Sequence, residues 1–238
     1  MAHNNYFKFK QFTIQQNNAA MKVGTDGVLL GSWATVEKVS SVLDIGTGTG
    51  IVALMLAQRS LAKIEAVEIE ESAYTDALLN FKNSPWSERL NLLNSSFQDF
   101  VRQSTCKFDC VVSNPPYFNQ RTKSKNENRS LARHSDNLPF EILIGGVASL
   151  LADGGHFSVV LPIEAEREFR SIAVQYRLFA KRILRVKPNP LKPAKRVLLE
   201  FRFEAMLEEE TELILESEVH HDYTDEFIGL VKDFYLNL

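Results

Sequence analysis

The chain alternates short apolar runs with amphipathic stretches, and this alternation limits the possible folds more than any other feature of the sequence. A short apolar run predicts a buried strand, and a longer stretch with apolar residues three and four apart predicts a helix. The predicted strands are 41–45, 64–69, 90–93, 108–113 and 157–161. The predicted helices are 51–59, 71–82, 139–151 and 165–179. Strands that alternate with helices form βαβ units, so we predict a parallel sheet.

The last part of the sequence departs from this alternation. Two further predicted strands, 183–186 and 197–203, follow one another without a helix, and the proline-rich segment 187–193 joins them. Because proline cannot donate to a strand ladder, this segment is a link, and the two strands are expected to form an antiparallel hairpin. A final helix is predicted at 225–235. The predicted fold is therefore an α/β, doubly wound Rossmann-like sheet, mostly parallel with an antiparallel C-terminal hairpin.

This organisation fits a single domain of 238 residues. We expect an N-terminal extension at 1–40, a Rossmann-like core at 41–205, and a C-terminal tail with a helix at 206–238. In open α/β sheets, ligands bind in the crevice outside the carboxyl ends of the strands. The loops that follow the predicted strands are therefore the places to look for functional residues.

Composition excludes several classes of protein. No apolar run approaches the roughly 20 residues that a membrane span needs, and the first residues lack a signal-peptide pattern. The two cysteines, Cys106 and Cys110, are too few for a disulfide framework or a structural zinc site. We expect a cytoplasmic protein with no membrane contact and no metal. The sequence leaves its oligomeric state open.

Charge is segregated along the chain although the net charge is only −3. Basic residues dominate 170–202, where Glu200 is the one acidic residue, and acidic residues dominate 204–226. A second basic stretch runs from Arg121 to Arg133. Local fields steer a polyanion more than the total charge does, so we predict that RNA binds near Arg121–Arg133 and Arg182–Arg196. A solvated charged face is the alternative interpretation.

A glycine-rich loop follows the first strand of the core. It places Asp44, Gly46, Gly48 and Gly50 between a predicted strand and a predicted helix. The spacing is G-x-G-x-G, which differs from the G-x-G-x-x-G of nicotinamide-binding loops. Glycines let a ligand approach the backbone, and a carboxylate beside them suits a sulfonium cofactor that carries an α-amino group. The same glycines could also form a purely structural turn.

Two later strand ends add candidate cofactor contacts. Glu68 ends the second predicted strand, where a carboxylate can accept hydrogen bonds from both ribose hydroxyls of an adenosine. Ser96 and Phe97 follow the third strand, and we predict that they hold the adenine ring. Asp99 could replace Ser96 in this role. Glu68 could instead cap the next helix, and Phe97 could belong to the core.

The most specific motif is Asn114-Pro115-Pro116-Tyr117, directly after the fourth strand. Two prolines remove two N–H donors and stiffen the loop, so a carbonyl is presented without competition. An aromatic amine is a poor nucleophile because its lone pair is delocalised. Acceptance of its hydrogen bonds by Asn114 Oδ1 and the Pro115 carbonyl would localise that pair, while Tyr117 stacks on the ring. We predict catalysis by orientation, without a strong base. A rigid structural turn is the alternative.

These motifs together resemble the Rossmann-fold, class I amino-methyltransferases. The segments 9–14 and 21–33, with Arg133-His134 and Lys187-Pro188-Asn189-Pro190, narrow the resemblance to the tRNA1(Val) adenine-37 N6-methyltransferase family. The similarity runs nearly end to end. It implies S-adenosylmethionine as methyl donor and an anticodon-loop adenine of tRNA as acceptor. It also implies that Thr25 lies near the methionine end of the cofactor, with Asp26 beside it.

Two alternative functions remain open. N5-glutamine methylation of a protein uses the same Asn-Pro-Pro-Tyr chemistry, but that family carries an extra helical N-terminal domain, and only 40 residues precede the strand at Ser41. A non-catalytic S-adenosylmethionine-binding subunit is the second alternative. An intact motif at Asn114–Tyr117 argues against it.

Overall fold

A computed structural model of the chain describes residues 5–116 and 138–237. Most described strands belong to one sheet of eight, and two short strands near the N-terminus form a separate hairpin. The strands are β1 (Tyr6–Lys8), β2 (Thr13–Gln15), β3 (Ser41–Ile45), β4 (Lys63–Glu68), β5 (Leu90–Asn94), β6 (Phe108–Ser113), β7 (Leu151–Pro162), β8 (Phe179–Lys187), β9 (Arg196–Arg202) and β10 (Glu209–Ile214). The helices are α1 (Thr25–Trp33), α2 (Ile51–Arg59), α3 (Glu71–Lys82), α4 (Phe97–Gln103), α5 (Phe140–Leu150), α6 (Glu166–Gln175) and α7 (Asp225–Val231).

The order of the large sheet is β10-β8-β9-β7-β6-β3-β4-β5. Strands β5, β4, β3, β6 and β7 are parallel, and β9 runs antiparallel to both β7 and β8. The predicted doubly wound sheet with an antiparallel hairpin is therefore confirmed. The strand order reverses beside β3, which is the point where such sheets bind ligands.

Two apolar cores cover the two faces of this sheet. One contains side chains of α1, α2, α3 and α7, and the other contains side chains of α4, α5 and α6. The central strands are buried on both faces, which explains why they read as continuous apolar runs rather than as an alternating pattern. The N-terminal hairpin joins the first core, because Phe9, Phe12 and Ile14 pack with Phe234 near the other end of the chain.

Helix α1 was not predicted from the sequence. It packs closely on α2, because a Cβ at Gly31 would lie only 2.8 Å from Met55, and seven of its nine residues are buried. A helix buried on nearly all sides has no amphipathic pattern, so periodicity cannot reveal it. Its position matters because it brings Thr25 and Gly27 next to the carboxyl ends of the strands.

Several other boundaries differ from the prediction; β7, for example, begins at Leu151, six residues before the predicted strand 157–161. The helix expected to reach residue 179 ends at Gln175, since Arg177 adopts a left-handed conformation (φ 61°) and β8 begins at Phe179. Strand β10 lies in the segment predicted as a tail, and it pairs with β8 in parallel from Glu209 to Ile214. Only Leu213 of that strand is buried, so its sequence lacks the apolar pattern that predicts a strand.

Candidate active site

A cavity of about 620 Å³ lies at the carboxyl ends of β3 and β6. Five parts of the chain meet there: the segment leading into α1, the glycine loop with the start of α2, the loop after β6, the end of β7, and the start of β9. The lining residues are Met21, Lys22, Gly24, Thr25, Asp26, Gly27, Asp44, Gly46, Thr47, Gly48, Thr49, Ile51, Val52, Asn114, Pro115, Pro116, Pro162, Glu164, Lys195 and Arg196. The structure thus brings the glycine loop and the Asn-Pro-Pro motif to one cavity.

The glycine loop turns through left-handed backbone conformations. Gly46 has φ 68° and Gly48 has φ 59°, and a Cβ built on either one would meet no atom within 4 Å. Gly50 also has positive φ, but a Cβ there would lie 2.5 Å from the Phe81 ring. Gly50 is therefore required for packing as well as for its conformation. Gly46 and Gly48 leave open space beside the backbone on the cavity wall.

Asp44 holds this loop to the next helix. Its Oδ2 accepts hydrogen bonds from the Thr47 hydroxyl (2.6 Å) and from the Ala53 N–H (3.2 Å). Burial raises the pKa of Asp44 to about 7, and the charge of Glu68 acts in the same direction, although the two hydrogen bonds oppose the shift. Among the described residues, Asp44 Oδ1 accepts no hydrogen bond from the protein.

Glu68 braces the same loop from β4. Its Oε2 accepts from the Gly48 N–H (2.8 Å), and its Oε1 accepts from the Glu70 N–H (2.9 Å). The side chain is buried and lies outside the lining of the cavity. Each carboxylate oxygen has two lone pairs, so these bonds leave acceptor capacity on Glu68.

Ser96 and Phe97 have clear local roles in the fold. Ser96 caps α4, because its Oγ accepts from the Asp99 N–H (3.0 Å) and donates to the Asp99 carboxylate (2.7 Å). Phe97 is buried in the second core against Gly146, where a Cβ would lie 2.4 Å from its ring. Neither residue lines the cavity. The arrangement matches the alternative interpretation of Phe97 as a core residue.

The loop after β6 is anchored beside β3. The Ser113 hydroxyl donates to the Ile45 carbonyl at 3.0 Å, which places Asn114 next to the start of the glycine loop. Asn114 Nδ2 lies 3.9 Å from the position that a Cβ on Gly27 would occupy, so α1 approaches this side chain closely. Pro115 is buried and Pro116 is exposed. Tyr117, the basic stretch Arg121–Arg133 and His134 lie outside the described residues.

Several features of the cavity were not predicted. The Arg196 guanidinium donates to Asp26 Oδ2 at 2.8 Å, which joins the start of β9 to α1 across the cavity wall. Asn80, on α3, donates to the Thr49 carbonyl (2.9 Å) and to the Gln15 carbonyl (2.9 Å). These contacts join residues far apart in sequence, and no local pattern indicates them.

The basic segment 170–202 carries far less free charge than its sequence implies. Acidic side chains of β10 and of neighbouring elements form ion pairs with it. The pairs are Lys181–Glu209, Arg182–Glu200, Arg185–Glu166, Arg185–Glu210, Lys187–Glu212, Arg170–Glu208 and Arg196–Asp26. Lys192 and Lys195 are exposed, and in the part of the chain that the structure describes they form no ion pair.

No helix within the described ranges is both long and apolar enough to span a membrane. No group of three metal-binding side chains lies in the cavity among the residues that the structure covers.

Comparison with known proteins gives one consistent result. The family model described as methyltransferase small domain matches residues 20–162. The chain is 48% identical to a tRNA1(Val) (adenine(37)-N6)-methyltransferase of Christiangramia forsetii, over 99% of each chain. It is 44% identical to a protein of the same name from Bacteroides fragilis, over 98% of each chain.

Solved structures share the fold at low sequence identity. A predicted O-methyltransferase from Agrobacterium tumefaciens has a TM-score of 0.69 and 20% identity, covering 90% of this chain and 100% of that one. A glycopeptide N-methyltransferase solved with S-adenosylmethionine has a TM-score of 0.55 and 13% identity, covering 77% of this chain and 95% of that one. Similarity at this level establishes a common architecture.

Proposed function

This chain belongs to the methyltransferase small domain family and, within it, to the tRNA1(Val) (adenine(37)-N6)-methyltransferases, and we propose that it methylates N6 of adenine 37 in a valine tRNA. The methyl donor is S-adenosylmethionine, and the reaction takes place in the cytoplasm with the tRNA. One observation carries the proposal: Asn114, Pro115 and Pro116 line the same cavity as Asp44 and the glycine loop. A methyl donor and an amine acceptor must meet in one place, and this cavity provides it.

The residues present fit a cofactor with an amino acid end and an adenosine end. S-adenosylmethionine supplies a methyl group bonded to a positively charged sulfur, together with an α-ammonium group. The open backbone at Gly46 and Gly48 allows close approach, and Asp44 Oδ1 can accept from an ammonium group. Thr25 also lines the cavity and can contact the methionine end. Glu68 retains acceptor capacity for ribose hydroxyls.

Ser96 and Phe97 have the weakest support among the proposed cofactor contacts. A base that stacks beside the end of β5 would meet the start of α4, where both residues lie. The Ser96 hydroxyl is already engaged with Asp99, so a hydrogen bond to adenine would have to displace one of these bonds or come from the backbone. A structure with S-adenosylhomocysteine bound tests whether Ser96 or Asp99 contacts the adenine.

The acceptor amine is held and aimed by the loop after β6. We propose that Asn114 Oδ1 and the Pro115 carbonyl accept its two hydrogen bonds, while Tyr117 stacks on the adenine ring. Pro115 and Pro116 keep this corner rigid and remove competing N–H donors. Correct orientation of the two reactants can account for roughly 7–11 kcal/mol of a reaction barrier. To enter the cavity the adenine must leave the stack of the anticodon loop.

Fewer basic residues of the segment Arg182–Arg196 are free to contact tRNA than the sequence implies. Lys192 and Lys195 are the candidate phosphate contacts of the segment Arg182–Arg196, because its other basic residues are held in ion pairs: Arg182, Arg185, Lys187 and Arg196. Lys195 lines the cavity itself, so a phosphate bound there would lie close to the flipped base. The stretch Arg121–Arg133 follows the motif directly in sequence and remains a second candidate contact.

The three expected segments act as one methyltransferase domain in this proposal. Residues of the extension 1–40 line the cavity at Thr25, and core residues line it at Asp44 and Asn114. The tail 206–238 adds β10 to the sheet.

Replacing Asn114 by alanine tests both the proposed function and the proposed role of Asn114 in holding the acceptor amine. We expect methyl transfer to a valine tRNA transcript to fall below detection while S-adenosylhomocysteine still binds in calorimetry, because Asn114 contacts the acceptor. Asn91→Ala, an exposed asparagine on the edge strand β5, serves as the matched control and should keep full activity. Nucleoside analysis of the product should give N6-methyladenosine, and mass spectrometry of nuclease fragments should place it at position 37.

Three outcomes would contradict the proposal. Full turnover by Asn114→Ala would show that Asn114 is not needed for catalysis. Methylation of a glutamine in a protein, with none in tRNA, would favour the N5-glutamine alternative. Binding of the cofactor without any turnover by the wild-type chain would indicate a supporting subunit. A tRNA transcript with guanine at position 37 should accept no methyl group.

A further inference from the structure

Three side chains with metal-binding atoms converge outside the active site. Glu216 follows β10, and His220 and His221 lie four and five residues further along. Their ligand atoms all lie within 4.8 Å of one another. His220 Nδ1 is 3.0 Å from Glu216 Oε2, and His221 Nδ1 is 3.7 Å from Glu216 Oε1. None of the three lines the active-site cavity.

The backbone holds these side chains on one side of a closed loop. Glu216 and Tyr223 form a β-bridge at its base, and the Ser217 N–H donates to the Asp222 carbonyl at 2.7 Å. The Ser217 hydroxyl also donates to the Asp222 carboxylate at 2.7 Å. His221 has φ 68°, a conformation that residues other than glycine rarely adopt. Neighbouring side chains usually diverge, yet the two imidazole rings here stack at 3.8 Å.

The ligand atoms of Glu216, His220 and His221 favour one class of metal ion. Two imidazole nitrogens and one carboxylate oxygen suit Zn²⁺, Cu²⁺ or Ni²⁺, whereas Mg²⁺ and Ca²⁺ prefer oxygen ligands. Around a tetrahedral zinc with bonds of about 2.0–2.2 Å, two ligands lie roughly 3.3 Å apart. The separations of 3.0 Å (to Oε2) and 3.7 Å (to Oε1) lie on either side of that value, and one ligand atom from each residue lies within 4.8 Å of the other two. Rotation of the exposed imidazoles is therefore enough to bring the atoms into coordinating positions.

We propose that Glu216, His220 and His221 form a binding site for a divalent transition-metal ion of the Zn²⁺ class, with water completing the coordination. The imidazoles are about three-quarters exposed (77% and 73%), so the ion can enter from solvent, while Glu216 is more enclosed at 22%. The exposed carboxylate of Asp222, within the same loop, favours a cation there. The bound ion joins the two sides of the loop and stabilises the folded chain by mass action. It takes no part in methyl transfer.

The test uses the full chain without a histidine tag, freed of metal by chelator and dialysis. Calorimetry with ZnCl₂ should give one ion per chain for the wild type. The double variant His220→Ala/His221→Ala and the single variant Glu216→Gln should each weaken binding by at least about 10–100-fold, since loss even of outer-shell partners has that effect. Glu218→Gln, a neighbouring acid outside the set, is the matched control and should retain the wild-type affinity.

A second measurement separates binding from folding. Zn²⁺ should raise the melting temperature of the wild type and of Glu218→Gln, and should leave that of the double variant unchanged. Methyl transfer should be equal in all of these proteins, which also shows that each is folded. Unsaturable Zn²⁺ binding to the wild type, or equal affinity in the double variant, would overturn the proposal.

Discussion

Asp44→Asn changes the charge of the most buried carboxyl in the active site and little else. Asparagine has nearly the same shape, and its Oδ1 can still accept from the Thr47 hydroxyl and the Ala53 N–H. The loop geometry should therefore persist in the variant. What the variant loses is the ability to carry a negative charge, which is the property that we propose holds the ammonium group of the cofactor.

The size of the effect follows from the pKa of Asp44. Burial raises it from 3.8 to about 7 in the folded protein, and each pKa unit corresponds to about 1.4 kcal/mol. Because the folded-state pKa is the higher one, the stabilising contribution of Asp44 is complete below pH 3.8 and is lost as the pH rises to about 7. Ionised Asp44 should thus destabilise the cofactor-free protein by roughly 4 kcal/mol at pH 8 relative to its protonated form.

Urea unfolding of the cofactor-free protein at several pH values measures this directly. The free energy of unfolding of Asp44→Asn, minus that of the wild type, should grow by about 1.4 kcal/mol per pH unit between pH 5 and 7, and then level off. Asp153→Asn, an exposed aspartate in the first part of β7, controls for a general loss of one negative charge. A difference that stays constant from pH 5 to 8 would refute the argument from burial.

Ionisation of Asp44 should strengthen cofactor binding although it destabilises the cofactor-free protein. Calorimetry with S-adenosylhomocysteine should give wild-type affinity that strengthens up to about tenfold per pH unit from pH 5.5 to 7, as Asp44 ionises. Asp44→Asn should bind weakly and without this pH dependence. Wild-type affinity in the variant would remove Asp44 from the cofactor contact, even if the unfolding data agree with the prediction.

Three further expectations follow from the site. Gly50→Ala should lower the free energy of unfolding in urea by roughly 2–5 kcal/mol, since left-handed strain and the displaced Phe81 ring both add cost; an unchanged midpoint would contradict this. Lys192→Gln/Lys195→Gln should reduce the slope of log tRNA affinity against log salt concentration by about 1–2. Lys187→Gln should leave this slope unchanged, because Lys187 is already paired with Glu212. Methyl transfer should persist in excess chelator, and loss of activity that metal restores would oppose the assignment.

Much of the core fold could be predicted from local sequence. The strands at 41–45 and 108–113 and the helices at 51–59 and 71–82 have the predicted bounds. These elements are predictable because burial on both faces of a parallel sheet makes a strand continuously apolar, and a half-buried helix shows a period near 3.6. Helix α1 and strand β10 lack those patterns, since one is buried nearly all round and the other is mostly charged.

The sequence by itself determined where the site would form. A glycine loop after one strand and a proline-stiffened loop after another must meet if those strands are parallel neighbours, and β3 and β6 are. The sequence did not determine which partners the side chains contact. Glu68 braces Gly48, Ser96 caps α4, and Phe97 packs in the core, although each also stands at a strand end that suits a ligand contact.

Only the tertiary structure decided the charge of the surface. Along the sequence a basic segment precedes an acidic one, and this segregation predicts that RNA binds near Arg182–Arg196. In space β10 lies beside β8, and its acidic residues pair with basic residues of that strand: Glu209 with Lys181, Glu210 with Arg185, and Glu212 with Lys187. Electrostatic attraction depends on distance in space and not on separation along the chain, so the strand order fixed which cations remain free.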